Sequence, residues 1–302
     1  MKRFLIYLTS LLAAVAAVAL AVDQINVLLI KSATGNSAYK MWRLYNNPDP
    51  DEIAIVGSSR ACQNFAPSEI APHCFNYGVE GMTKGEEIPI LEVLQQRQTT
   101  APVILNIDPW GSFFNGQVAD YRLAPESGRL EWQECVPGIR FFGALRKNVV
   151  AYIDAKRAVA RTIDNGANLI KTSRTTSEWA AINTKLQPIE FSGNAELEKR
   201  LFTVLRSFSP RKVMVVVSPC TKHWLTYFKG KEDLNRLLSA LRALPNVTVL
   251  DRLDSPEITD DDFVDPDHLN EKGARKFSRS QIAINFDIIR SDNEQERRER
   301  NE

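Results

Sequence analysis

The sequence predicts an α/β fold: a three-layer sandwich on a mostly parallel five-stranded sheet, carried behind an N-terminal transmembrane helix. Three observations predict it. Short β-branched runs recur along the chain, each ending in a Gly, Pro or polar turn. Amphipathic stretches alternate with them, as in a parallel sheet covered on both faces. An uncharged apolar run opens the chain. Composition agrees: the 302 residues are 44% hydrophobic and 25% charged, which excludes a chain disordered throughout. Lys+Arg 38 against Asp+Glu 37 give a formal net charge of +1, so the chain lacks the electrostatic footprint of a nucleic-acid binder.

Met1-Lys2-Arg3 is a short basic start, and Phe4 to Val22 follows without a charge. A run of about 20 apolar residues crosses a hydrocarbon core of about 30 Å. A buried core helix would show a polar face, and this run has none. It reads as a signal anchor over residues 1–30, or as a signal peptide cleaved at Ala19-Leu20-Ala21; its length favours the anchor. Lys2 and Arg3 keep the N-terminus cytoplasmic. The domain is therefore expected on a single-pass anchor in the cytoplasmic (inner) membrane, facing the periplasm or extracellular space. Cys62, Cys74, Cys135 and Cys220 can form disulfides there, and Cys62 and Cys74 are close enough in sequence to pair.

The remaining elements follow in order over a domain of about 31–290. Glu52 to Gly57 is a short apolar strand ending in Gly, and His73 to Tyr77 is a second, ended by Gly78. Glu86 to Arg97 has helical spacing interrupted by Pro89, and Pro102 to Ile107 is a third strand. Lys212 to Val217 is a fourth, stopped by Ser218-Pro219. Asp233 to Leu244 is a helix with Leu at 234, 237, 238, 241 and 244, followed by a fifth strand at Val247 to Leu250. Asn270 to Ile284 is a closing helix with Asn270 as N-cap. Between strands three and four, about 112–210, a helical insertion is expected, with Phe141 to Lys171 and Ala195 to Phe208 largely helical. The tail at 291–302 lacks apolar residues and reads as disordered.

In parallel α/β sheets, functional groups gather beyond the carboxyl ends of the strands. Four such ends carry distinctive residues: Gly57-Ser58-Ser59-Arg60, Asn76-Tyr77-Gly78, Asn106-Ile107-Asp108-Pro109-Trp110, and Asp265-Pro266-Asp267-His268-Leu269-Asn270. Taken singly, the first three read as well as polar turns, caps or Pro-ended strands, whereas a His three residues after an Asp in the fourth is harder to explain as a helix start alone. Together and in this order, they resemble the SGNH (GDSL-like) hydrolase superfamily. The resemblance covers roughly 52–110 and 212–284, through motif order more than extended similarity. It puts Ser59 at the nucleophile position, Gly78 in the second block, and Asp265 with His268 in the last. The variant first block, the Ile-Asp-Pro-Trp third block and the single anchor look like the membrane-anchored bacterial branch linked to envelope-polysaccharide O-acylation. The resemblance thus implies an envelope polysaccharide or acylated glycan as substrate and a membrane-bound O-acyltransferase as partner.

Elementary chemistry points to the same residues. A Ser hydroxyl is a poor nucleophile until a base takes its proton, and His is the natural base near neutral pH. Of the three His, His268 alone lies in a polar loop at a strand–helix junction. The three-residue spacing lets Asp265 fold back onto the imidazole and fix its tautomer. Ser59 and Ser58 compete as nucleophile; Ser59 takes the family's position, and Ser58 suits a helix cap. The N–H groups of Ser59 and Gly78 are the oxyanion candidates, and the start of a helix favours negative charge on the Ser59 oxygen. The family's oxyanion Asn is replaced by Asp108, whose carboxylate would repel an oxyanion. Asp108 is then protonated, or points away, or the site is a weak hydrolase. Asn106 is a substitute donor on the same strand, and Arg60 suits an anionic substrate group. No cofactor is called for, and His and Cys are too sparse for a metal site. Two functions stay open: an acyl-serine esterase or O-acetyltransferase, and a catalytically weak glycan-binding or scaffold domain.

Overall fold

The computed structural model describes residues 1–46, 49–109, 161–172 and 189–286, with the short pieces 149–150, 152–153, 174 and 178–179 between them. Trp110, Cys135, most of the expected insertion and the 291–302 tail lie outside the described residues.

The chain falls into two compact units. One holds helix α1 (Lys2–Ser32) and helix α2 (Ser37–Asn46). From Phe4 to Leu20 the large apolar side chains of α1 are exposed, and the helix is long and apolar enough to cross a membrane, a property signal sequences share. Beyond Val22 one face of α1 becomes buried, at Asp23, Asn26 and Ile30, a spacing of three and four that marks one side of a helix. Lys31 on α1 lies 4.5 Å from the ring centre of Trp42 on α2.

The other unit is the α/β domain. It runs β1 (Ile53–Val56), α3 (Ser59–Asn64), β2 (Cys74–Asn76), α4 (Lys84–Gln95), β3 (Val103–Asn106), β4 (Arg161–Asp164), β5 (Ala167–Ile170), β6 (Ile189–Glu190) and α5 (Ala195–Ser207). Then come β7 (Val213–Val217), α6 (Lys222–Leu225), β8 (Phe228–Lys229), α7 (Lys231–Arg242), β9 (Val247–Asp251) and α8 (Glu271–Phe277), which continues as a π-helix over Ser278–Ala283. Five strands pair in the order β2-β1-β3-β7-β9, all parallel. β1, β3 and β7 are buried at every position, as expected where helices cover both faces of a sheet. On one face Ile55, Ile104, Met214 and Val216 join Phe65, Phe277, Ile282 and Phe286 in a single apolar cluster.

The helix ends follow local chemistry. Thr83 and Glu86 form a capping box at the start of α4. Asn194 caps α5, and the Asn270 side chain accepts from the Gly273 N–H to cap α8. Two expectations are corrected. Residues 161–170 form an antiparallel hairpin, not a helix; Asp164 faces Ala167 across a two-residue Asn165-Gly166 turn, both at positive φ. Cys62 and Cys74 are separate buried thiols, not a disulfide.

Candidate active site

The strand order reverses direction between β1 and β3, and a crevice opens beyond the carboxyl ends of strands at such a switch point. The chain leaves β1 through Gly57 and Ser58 and enters α3 at once. Gly57 makes this turn at φ +152°, and a Cβ there would lie 2.7 Å from the Ala61 Cβ, so only glycine fits. Ser58 caps α3: its buried Oγ accepts from the Arg60 N–H at 3.3 Å. Ser59 begins the helix, half-buried, with a backbone N–H that the helix itself cannot satisfy.

The loop before α8 brings the other two groups to it. His268 Nε2 lies 2.8 Å from Ser59 Oγ. His268 Nδ1 lies 2.9 and 3.0 Å from the two oxygens of Asp265. Asp265 Oδ1 also accepts the backbone N–H groups of Asp267, at 3.1 Å, and His268, at 2.9 Å. The turn that closes the loop therefore also aims the carboxylate at the imidazole. Burial pushes the Asp265 carboxyl up, but the hydrogen bond and charge of His268 outweigh it and hold it below the usual aspartate value. Burial pulls His268 down, but the charge of Asp267 and then the hydrogen bond and charge of Asp265 lift it to about 9.

One residue that sequence reasoning passed over holds these parts in register. Asn64, fully buried at the end of α3, accepts from the Leu269 N–H at 2.8 Å and donates to the Asp267 carbonyl at 3.1 Å. It therefore grips the backbone on both sides of His268 from the helix that carries Ser59. It also donates to Ser218 Oγ at 3.1 Å, just past β7. No motif marks it; its role exists only once α3 and the loop are side by side.

The remaining candidates lie deeper. Arg60 is fully buried and donates to the carbonyls of Ser218 and Pro219. Its Nη1 lies 3.8 Å from Asp108 Oδ1, and both side chains are shut off from water. Asp108 Oδ1 also accepts from Asn106 Nδ2 at 3.0 Å. Arg60, Asn106 and Asp108, read from sequence as substrate contacts, thus form an internal polar cluster with their side chains closed off from water. The Gly78 N–H donates to Asn76 Oδ1 at 2.8 Å. That hydrogen bond engages it within its own turn. Cys220 sits 3.3 Å from Arg60 Nη2, and burial pushes its thiol up to about 12, so it is no rival nucleophile.

Fold and site together define an α/β three-layer domain with a Ser–His–Asp constellation at the carboxyl edge of its sheet. No protein-family model matches the chain, and no curated protein matches it. Among solved structures it is similar to a protein from Streptococcus pneumonia whose assignment as a platelet activating factor is itself provisional. The match has 14% sequence identity and a TM-score of 0.37, and covers 87% of this chain and 96% of that chain.

Proposed function

We propose that the protein is a serine-dependent acyl esterase or O-acyltransferase. The single observation that carries this reading is the Ser59–His268–Asp265 geometry, with one hydrogen bond from imidazole to hydroxyl and another from imidazole to carboxylate. In the proposed reaction His268 Nε2 takes the Ser59 proton as Oγ bonds to an ester carbonyl carbon, and the Ser59 N–H meets the developing oxyanion. His268 then returns the proton to the leaving alcohol as the ester C–O bond breaks, leaving an acyl-serine. Water or a sugar hydroxyl attacks the acyl-serine in the second half, with His268 again the base. Asp265 holds the imidazole tautomer throughout.

The substrate class rests on the sequence resemblance: an envelope polysaccharide, with a membrane-bound O-acyltransferase as partner and the domain outside the cytoplasm on an α1 anchor. A second reading, a catalytically weak glycan-binding or scaffold domain, is favoured by one observation: the Gly78 N–H is occupied by Asn76, so one oxyanion donor is engaged elsewhere.

Steady-state kinetics on a small acetyl ester separate the two readings. A triad predicts that Ser59→Ala and His268→Ala each lower kcat/KM on the order of a thousandfold or more, and that the double variant loses little beyond either. Asp265→Asn should cost less than either. Unchanged rates in the Ser59→Ala protein would leave the binding reading in place.

A further inference from the structure

We propose that Asp267 is a second carboxylate on His268 and acts as a positioning residue, setting with Asp265 the proton affinity of the imidazole. The proposal rests on the esterase reading for its catalytic consequence, but its physical content belongs to the loop alone. Asp267 Oδ1 lies 3.4 Å from His268 Nδ1, the nitrogen that Asp265 already contacts at 2.9 Å. A triad needs one acid at that nitrogen; this loop presents two.

The backbone of Asp267 is held from several sides. Its N–H donates to Asp265 at 3.1 Å, its carbonyl accepts from Asn64 at 3.1 Å, and the neighbouring Pro266 carbonyl accepts from the Thr221 N–H at 2.9 Å. Its side chain is 18% exposed and that of His268 17%, so solvent screens the pair only in part. The groups facing the imidazole are Asp265 and Asp267 from its own loop, and Ser59 and Arg60 from α3. Arg60 opposes the carboxylates, but its guanidinium is directed at the Ser218 and Pro219 carbonyls.

A charge this close stabilises the imidazolium. It follows the same direction as the upward shift of His268, in which the charge of Asp267 is the largest raising influence. Burial raises Asp267 itself, to about 7, so it is ionised before His268 releases its proton. The base is competent only when neutral. With His268 raised, the neutral form grows in as pH rises through a value above the ordinary histidine range. Asp267 thereby makes Ser59 less reactive from about pH 7, where its own carboxyl ionises, up to the His268 midpoint, and makes His268 a stronger base once it is neutral.

The test is an imidazole titration by NMR on the full chain in detergent micelles, with 15N-histidine. The chain has three His, so His73 and His223 serve as internal references and His268→Ala assigns the third. The expected result is a His268 midpoint above the usual value of about 6.5, lowered by about one pH unit or more in Asp267→Asn while the references stay put. The acid limb of fluorophosphonate labelling should move by the same amount. A second variant, Asp267→Ser, guards against a folding defect in the first. An unmoved His268 midpoint in either variant with a native spectrum overturns the proposal. A shifted midpoint in a chain that no probe labels would sink the esterase reading while upholding the role of Asp267 on the imidazole.

Discussion

Behind Ser59, the Asp108 carboxylate and the Arg60 guanidinium face one another at 3.8 Å, both closed off from water. Removing one partner of such a pair leaves an uncompensated buried charge, which costs about 3–5 kcal/mol. Asp108→Ala is therefore expected to lower unfolding free energy by about that amount in chemical denaturation. Asp108→Asn should leave acetyl-ester hydrolysis unchanged or lower, because the carboxylate is engaged by Arg60 and Asn106. A rise of about a hundredfold, the scale of one oxyanion donor, would contradict this placement. The residue type was legible in the sequence and its direction was not. A carboxylate two residues past Asn106 projects inward or outward according to what α3 places opposite it, and Arg60 lies forty-odd positions away in the chain. Ser59, Asp265 and His268 were easier to read, because strand-end loops in a parallel sheet share one edge whatever the sequence between them.

Helix α3 and the loop before α8 work as one piece because Asn64 spans them. Asn64→Ala would remove three hydrogen bonds, to Leu269, Asp267 and Ser218, and leave the first two backbone groups unpaired in a buried setting. His268 would lose its registration against Ser59. The expected outcome is a fall in kcat on the order of ten- to a hundredfold with KM little changed, read on the acetyl ester. An unaltered kcat in a folded variant would show that the loop positions itself without α3. The β4–β5 hairpin supports the same corner: Asn165 carbonyl accepts from the Asn76 N–H at 2.8 Å, and Thr162 Oγ1 donates to Glu271 at 2.8 Å. Its Asn165-Gly166 turn is a strong hairpin signal in the sequence. It was hidden by the helical spacing assigned to the whole of Phe141 to Lys171. Strands β1 and β7 were legible for the opposite reason: a continuous apolar run of four or five residues between turn residues has few other uses.

Across the whole chain, the apolar face of α1 and the triad belong to two separately described units, and each supports its own prediction. The exposed apolar run on α1 after Lys2-Arg3 predicts an anchored chain with its domain outside the cytoplasm. Alkaline phosphatase fused after Glu302 should be active in a bacterial host and sediment with membranes. An inactive, well-expressed fusion would reverse the topology, and an active but soluble one would mean cleavage near Ala21. The fold class was legible from alternating runs and strand-end motifs, whereas the engagement of the Gly78 N–H and the inward turn of Arg60 depended on packing between distant segments. The central claim is that Ser59 is a nucleophile activated by His268. Peptide mapping after fluorophosphonate treatment of the full chain tests it most directly. The expected result is a single phosphonyl adduct on Ser59, lost in Ser59→Ala, strongly slowed in His268→Ala and retained in Ser58→Ala. An adduct on Ser58, or none on either serine in the folded native protein, would contradict it.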